Sequence, residues 1–373
     1  MEGTEPPAEE IMMEESGGGI EETYMAYRLR KILLIIGLSV LLFIFTFYAL
    51  SFNGMDIGFV DCIFYVFNHI LGTTYEPGSP EWMDDYILWK KYVPRVVMAI
   101  IAGASLAICG VAMQSLMNNP LADPYTVGIS DGACFGAVAS IVMGASAATV
   151  ASSAGLVVSA FICGLIPAVI IIMLSTVVRL TPATSILIGV ALSYIFSGME
   201  AMLMVSTDAD TLKNAYLWQI GSLDKVVWDN LVIPTAVVIV CSIYLIITSN
   251  KLNLLSLGDD SATSLGLDVR TFRTITMIVV SVTVAAVVSF VGIIGFVGLV
   301  APHLIRLLIG GDNKYLIPVS MLAGALFLQV ADIVSRTVIA PDELRVGLIA
   351  SIIGAPIFLY IILKRKRNYG EAL

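Results

Sequence analysis

Residues 113–133 read MQSLMNNPLADPYTVGISDGA, a polar stretch with two prolines between two long apolar runs. Pro120 and Pro124 cannot sit inside an uninterrupted helix, and each favours extended backbone in the residue before it. Irregular backbone of this kind is not tolerated where it faces lipid, because its peptide groups would lack hydrogen-bond partners. We therefore predict that the stretch lies at a membrane edge or is packed inside protein, which favours a transport protein over a simple anchor.

The rest of the 373-residue chain has the composition of a membrane protein. Hydrophobic residues make up 58% of the chain and charged residues 13%, roughly half the charged share of a soluble domain. Eight of the 29 acidic residues fall in the first 22 positions, a stretch with few apolar side chains. We predict that residues 1–27 are an acidic, disordered cytoplasmic tail and that residues 28–373 form the transmembrane domain.

Sites for chemistry are scarce in this sequence. The five cysteines form no C-x-x-C pair, there are two histidines, and no P-loop motif occurs. We therefore predict no catalytic residue, no metal site and no ATP hydrolysis by this chain. An intramembrane hydrolase would need a nucleophile and base pair or metal ligands, and the sequence gives that class little support.

Ten apolar segments are long enough to cross the membrane as helices, which takes about 20 residues each. The sequence thus predicts an all-α, polytopic membrane protein with spans at 31–51, 92–114, 126–145, 152–178, 184–205, 229–249, 272–291, 293–309, 316–336 and 345–363. The seventh and eighth spans are divided within Val291–Gly298, where closely spaced glycines suit a tight turn. Thirteen of the 20 Lys and Arg residues fall on the side that carries both termini, which predicts that both are cytoplasmic.

Two connections between spans carry features of their own. The outer segment 206–228 contains Tyr216–Leu223, which is too short to span but long enough to form a re-entrant helix. The inner segment 250–273 contains Asp259, which together with its two polar neighbours can start a helix, and Gly266, which can end one. A short cytoplasmic helix is expected there.

Several ordered motifs are similar to those of one transport family, and they extend from Tyr92 to Arg367. They are Val93-Pro94-Arg95, Gly110 through Gln114, Asn119-Pro120-Leu121-Ala122-Asp123-Pro124 with Gly128 and Gly132-Ala133, Thr181-Pro182-Ala183, Trp218, Gly221-Ser222-Leu223, the Leu257–Leu267 loop, Gly295-Phe296-Val297-Gly298-Leu299-Val300, Pro302-His303, Asp332, Arg336 and Gly354-Ala355-Pro356. By these motifs the chain resembles the permease subunits of the FecCD family, which belong to ATP-binding cassette (ABC) importers for iron-siderophore, haem and vitamin B12. It departs from the family pattern at two positions: Val93 stands where the family has leucine, and Arg345 stands where the family has proline.

The resemblance implies roles for four groups of residues. The coupling helix that docks into the ATPase would use Leu257, Gly258, Asp259, Asp260, Ser261, Leu265 and Gly266. Docking of the binding protein would use Arg95, Arg336 and, more weakly, Lys91. The outer gate of the path would use Trp218, Gln219, Gly221 and Ser222, and the structural motif is Asn119, Pro120, Asp123, Pro124 and Gly128.

Each role has a simpler alternative. The 257–267 segment could be an ordinary solvated connection. A guanidinium suits bidentate pairing with a partner's carboxylate, but Arg95 and Arg336 could also extend to the lipid headgroups. Asp332, four residues before Arg336, could instead pair with it within the helix. Trp218 could be an interfacial anchor.

The resemblance implies a permease that works as a homodimer with two ATP-binding cassette ATPase subunits and an extracytoplasmic substrate-binding protein. ATP and magnesium would be bound by the ATPase, the cargo would be a metal chelate, and the chain would lie in the lipid of a prokaryotic cell membrane, with no nucleic acid as a partner. The rival hypothesis is a cation-coupled secondary transporter. That class places ionisable residues deep within its helices, whereas Glu200, Asp332 and Asp131 fall near predicted helix ends.

Overall fold

A computed structural model describes residues 8–52, 54–55, 57–146, 153–175 and 181–370 of the chain. The first half contains the helices α1 (Ala8–Ser51), α2 (Phe59–Ile70), α3 (Pro80–Ile87), α4 (Val93–Leu116), α5 (Ile129–Ser146), α6 (Ser153–Ser175) and α7 (Pro182–Val205). The second half contains α8 (Ala209–Gln219), α9 (Val232–Ile247), α10 (Ser249–Leu255), α11 (Asp259–Ser264), α12 (Val269–Val291), α13 (Val297–Ile309), α14 (Asn313–Thr337) and α15 (Val346–Gly370). Within the described ranges there is no strand, and the predicted all-α class is confirmed.

Each of the ten predicted spans overlaps a helix. Seven helical stretches of the described residues are long and apolar enough to cross a membrane, and they include α1, α4, α6, α7, α9, α12 and α14. The other three predicted spans correspond to the shorter apolar helices α5, α13 and α15. The 13 residues of α13 extend about 20 Å, less than the hydrocarbon thickness of about 30 Å. The number of ten spans and the inward position of both termini therefore stay predictions.

Helix α1 extends beyond the first predicted span on its N-terminal side and begins at Ala8. Residues 1–7 of the predicted tail lie outside the described residues, and the division of the chain into a cytoplasmic tail, 1–27, and a transmembrane domain, 28–373, stays a prediction. The outer connection Ser51–Tyr92 contains α2 and α3, and Ser79 caps α3 by accepting a hydrogen bond from the Trp82 backbone N–H at 3.1 Å.

The helical part of the outer segment 206–228 also begins earlier than the sequence predicted. Asp208 accepts hydrogen bonds from the backbone N–H groups of Asp210 and Thr211, at 3.1 and 3.0 Å, and so starts α8. An N-terminal cap of this kind satisfies donors that a helix leaves unpaired. The helix ends at Gln219 and Ile220 is extended, so Gly221-Ser222-Leu223 lies beyond the helix.

Helix α4 lies at the centre of the fold and is buried along most of its length. Glycines let its backbone approach its neighbours: a Cβ at Gly103 would overlap the Gly324 carbonyl of α14, and one at Gly110 would overlap the Gly298 carbonyl of α13. Small residues at helix contacts are the usual means of close packing in membranes. Three helices are thus fixed to one another by backbone contact.

The polar stretch after α4 is buried inside the protein from Ala122 to Pro124, whereas Asn118 and Leu121 before it are exposed. Asn119 Oδ1 accepts from the Leu121 N–H at 3.0 Å, and Asp123 Oδ1 accepts from the Tyr125 N–H at 2.9 Å, just before a 3-10 turn over Pro124–Val127. Gly128 ends that turn with a φ of +83°, which favours glycine. These bonds pair backbone groups of the irregular stretch within the protein. Asn119, Asp123 and Gly128 therefore stabilise the turns that lead into helix α5.

Candidate functional site

The short helix α11 presents two leucines to solvent. Leu257 precedes it and Leu265 follows it, and their side chains are 62% and 61% exposed, whereas Ala262 packs inward. Gly258 and Gly266 flank the helix with φ values of +100° and +87°, a region that L-residues disfavour. The sequence therefore forms a sharply bounded helix with an apolar pair available to a partner, and the side chains of Asp260 and Ser261 are exposed beside it.

An ion pair ties this helix to α12. Arg273 Nη1 and Nη2 lie 2.9 and 2.6 Å from the two carboxylate oxygens of Asp259. The Arg273 side chain is 7% exposed and that of Asp259 is 45% exposed. The hydrogen bond from Arg273 lowers the pKa of Asp259, against the opposing effect of partial burial. Asp259 therefore attaches the short helix to the long one.

The far end of α12 meets two other segments at a glycine junction, which we define as Gly221, Gly292, Ile293 and Gly347. The Gly221 N–H donates to the Ile293 carbonyl at 2.9 Å, and the Gly347 N–H donates to the Gly221 carbonyl at 2.9 Å. A Cβ at Gly221 would lie 2.5 Å from the Ile293 carbonyl oxygen, and Gly292 has a φ of +73°. Only glycine allows the ends of α8, α12 and α15 to meet this closely.

The predicted gate residues surround this junction. The Ser222 N–H donates to the Val291 carbonyl at 2.7 Å, and the Trp218 carbonyl lies against Gly292. Gln219 donates to Glu200 of α7. Trp218 and Ser222 line a cavity of about 460 Å³. The structure therefore brings the predicted gate group together, and it adds the segment 291–293 and Gly347, which the sequence did not single out as gate residues.

Arg95 and Arg336 are buried and occupied by internal partners. Arg95 Nε lies 2.9 Å from Asp332 Oδ1, and its Nη1 also bonds Glu343. Arg336 Nη2 lies 2.9 Å from Asp332 Oδ2, and its Nη1 donates to the Phe52 carbonyl at 2.6 Å. The two arginine residues are 2% and 8% exposed. In this conformation neither is open to a docking protein, so the structure supports the alternative pairing of Asp332 with Arg336 and extends it to Arg95.

Lys91 is the more accessible docking candidate. Its side chain is 45% exposed, and its Nζ lies 3.6 Å from Glu343 Oε1. Partial burial alone would raise the pKa of Glu343, but the hydrogen bond and charge of Arg95 outweigh it and hold that pKa low. Glu343 was not a predicted site residue. It carries negative charge at the predicted outer end of the fold and neutralises Arg95, the arginine that was expected to receive a partner's glutamate.

The coupling group and the other two groups lie at opposite ends of the helices. Asp259 contacts Arg273 at the start of α12, whereas Val291 at its end contacts Ser222. Arg95, at the start of α4, lies 3.9 Å from Asp224 Oδ1, two residues beyond Ser222. A helix of 23 residues spans about 34 Å. This separation agrees with the predicted assignment of one group to the inner face and two to the outer face.

Comparison with known proteins gives consistent matches over most of the chain. The model of the FecCD transport family matches residues 41–364. The hemin transport system permease protein of Yersinia pestis is 37% identical, over 74% of this chain and 83% of its own length. The cobalamin import system permease protein of Halobacterium salinarum is 38% identical, over 78% of this chain and 76% of its own length. The ferric enterobactin transport system permease protein of Escherichia coli is 33% identical, over 78% of this chain and 87% of its own length.

A solved structure is similar over nearly the whole fold. It is an inward-facing conformation of an ABC transporter of the metal-chelate type, with a TM-score of 0.76 and 29% sequence identity. The alignment covers 88% of this chain and 98% of that one. The polytopic helical fold and the sequence motifs thus lead to the same class of protein.

Proposed function

Because this chain belongs to the FecCD transport family, we propose that it imports a metal chelate as a homodimer bound to two ATPase subunits and an extracytoplasmic binding protein. The chain is the membrane permease of such an importer. ATP and magnesium are bound by the ATPase subunits, and no bond of the cargo is made or broken here. The cargo is a ferric siderophore, another iron complex, haem or cobalamin, the range that the similar permeases carry, and the site is the cytoplasmic membrane of a prokaryote.

One observation supports this proposal most: the direct line from α11 through α12 to the glycine junction. Arg273 links α11 to α12 by a bidentate ion pair, and Val291 and Ile293 are hydrogen-bonded to Ser222 and Gly221. A rigid helix that is attached at both ends transmits a displacement of one end to the other. Closure of the ATPase subunits would therefore move α11, and α12 would carry that movement to the gate, as alternating access requires.

The docking surface for the ATPase is small and apolar. Leu257 and Leu265 extend into solvent on either side of α11, while Asp259 is held by Arg273. Leucines that fill a pocket on a partner contribute through burial, at about 1.5–3 kcal/mol for each fully buried side chain. Two such anchors on a helix fixed by an ion pair form a rigid contact, and rigidity is needed if force is to pass through it.

The test is whether the ATPase partner co-purifies with the chain and with its variants. We expect Leu257→Asp/Leu265→Asp to abolish co-purification of the ATPase, because each aspartate would place a charge in the apolar contact. The control is Ser264→Asp, which adds a charge to the same helix at an exposed residue outside the predicted coupling group. Equal recovery of the ATPase with both variants would contradict this docking site.

A further inference from the structure

A cavity of about 460 Å³ lies at the gate end of the fold. Its walls come from α5, α6 and α8 and from the glycine junction, with Leu217 and Phe290 among the apolar residues and Asn214, Trp218 and Ser222 among the polar ones. This volume is within the range of small-molecule sites, about 300–1,000 Å³. Because the cavity shares residues with the proposed gate, a cargo at the gate would contact it.

The charges that line this cavity are both positive. Among the lining residues that the structure describes, Lys225 and Arg345 are the charged ones and none is acidic. Within the same described residues, neither side chain makes a salt bridge. The acids nearest to them in sequence face other cations: Asp224 lies 3.9 Å from Arg95, and Glu343 pairs with Arg95 and Lys91.

Arg345 is held in place beside the cavity, which an arginine that only contacts lipid headgroups would not require. It stands two residues before Gly347, whose N–H bonds Gly221, so the backbone that carries it is fixed at the junction. Its side chain is half-buried and lines the cavity. A guanidinium fixed in this way can pair with a carboxylate or another oxyanion in bidentate fashion. Lys225, which is exposed, adds a second positive charge at the same cavity.

We infer that this cavity receives an anionic chelate, with carboxylate, catecholate or other oxyanion groups that pair with Arg345 and Lys225. The inference rests on the proposed importer function and narrows its substrate class. A chelate without free anionic groups would leave both cations unpaired as the path closes around it, and such desolvation is unfavourable. An anionic chelate would replace the lost water by charge-assisted hydrogen bonds.

The experiment uses proteoliposomes that hold the full chain with its ATPase and binding protein. Initial uptake is measured for three probes: radioiron-labelled ferric citrate, haem with its two propionates, and a neutral ferric trihydroxamate, whose anionic oxygens are all bound to the iron. The variants are Lys225→Gln/Arg345→Gln, the conservative Arg345→Lys, and the control Lys213→Gln, a cation of α8 outside the cavity lining. A second set of vesicles contains only zwitterionic lipid, to separate cargo from anionic headgroups as the partner of the two cations.

We expect ATP-dependent uptake of an anionic probe, and a loss of about tenfold or more in the double variant, since each charge-assisted contact is worth a factor of this size. Arg345→Lys should keep more activity than the double variant, and Lys213→Gln should behave as wild type in both kinds of lipid. ATP-dependent uptake of the ferric trihydroxamate in preference to both anions, or a loss confined to anionic lipid, would overturn the inference and leave the importer function standing. Uptake of every probe without ATP would overturn both.

Discussion

The Asp259–Arg273 ion pair offers the sharpest test of how the short helix α11 is held. Asp259→Asn removes the charge but keeps the size of the side chain. The control is Asp260→Asn, because Asp260 is the next residue in the same helix, is exposed, and makes no salt bridge among the described residues. Any effect of removing an acid from α11 in general would then appear in both variants.

The size of the effect follows from the geometry. Two charge-assisted hydrogen bonds, at 2.9 and 2.6 Å, are lost or weakened, and the 7% exposed Arg273 is left without its carboxylate. Because the Asp259 side chain is 45% exposed, we discount the usual value for hydrogen bonds to charged groups and expect about 1–2 kcal/mol. A change of this size is roughly a 5–30-fold shift in the equilibrium between docked and undocked α11.

Hydrogen exchange of the α11 backbone amides measures that equilibrium in the full chain in lipid nanodiscs. Asp259→Asn should accelerate exchange at Thr263, Ser264 and Leu265 by this factor, while Asp260→Asn leaves it near the wild-type rate. In the assembled transporter, the first variant should also lower the amount of cargo moved per ATP. Identical exchange in the two variants would refute the assignment of Asp259 as the clamp.

Four further outcomes are expected. The pKa of Asp259 is lowered in the folded protein, so the stabilisation by the Asp259–Arg273 pair is fully present above the unfolded pKa of about 3.9 and is lost only as the pH falls through the folded pKa. Hydrogen exchange of α11, corrected for intrinsic rates, should therefore show the same protection at pH 6 and pH 8. Gly266→Ala should lower the free energy of local opening of α11, measured by hydrogen exchange, by about 1–2 kcal/mol, because the φ of Gly266 is +87°. Gly311→Ala should not change it, because Gly311 does not have a positive φ of this kind and has open space around it. Gly347→Ala should lower the free energy of unfolding by about 1–3 kcal/mol and slow uptake, because a Cβ at this position would lie 2.7 Å from the Ile293 carbonyl oxygen. The control Gly198→Ala should keep the wild-type stability and uptake rate, because a Cβ there would meet nothing within 4 Å. Asp332→Asn should cost about 3–5 kcal/mol by leaving two buried arginines short of a carboxylate, and its yield of folded protein should fall far below that of the exposed neighbour variant Asp342→Asn.

Docking of the binding protein should depend on Lys91 more than on the buried arginines. Lys91→Glu should slow association several-fold, most strongly at low salt, because accessible charges act mainly on encounter rates. Arg95→Glu should lower folded yield instead, since it would place a third carboxylate beside Asp332 and Glu343. A folded Arg95→Glu chain with a selective docking defect would restore the docking role that the sequence suggested for Arg95.

The sequence carries the helical architecture well because its signals are local. Apolar runs of span length predict helices, and the glycines of 291–298 correctly predict the break between α12 and α13. Amphipathic and polar helices are harder to find by that signal. Helix α2, with buried Cys62 and exposed Phe64, lies outside the ten predicted spans, and α8 depends on the Asp208 cap more than on apolar residues.

Long-range pairing explains what the sequence could not supply. Asp259 and Arg273 are 14 residues apart and face each other only because α11 folds back on α12. Arg95 and Glu343 are 248 residues apart, so nothing local indicated that the arginine would be neutralised. The glycines of the junction were visible as a motif at Gly221, but their contact with Gly347 arises from the packing of three separate helices.

The central claim is that this permease does no work of its own and receives movement through α11. The most direct measurement is ATP-driven chelate uptake into proteoliposomes that contain the chain, its binding protein and either an active or a hydrolysis-deficient ATPase partner. We predict uptake only with the active partner, and none when an ion gradient replaces ATP. Uptake by the chain alone, driven by a sodium or proton gradient, would contradict this account.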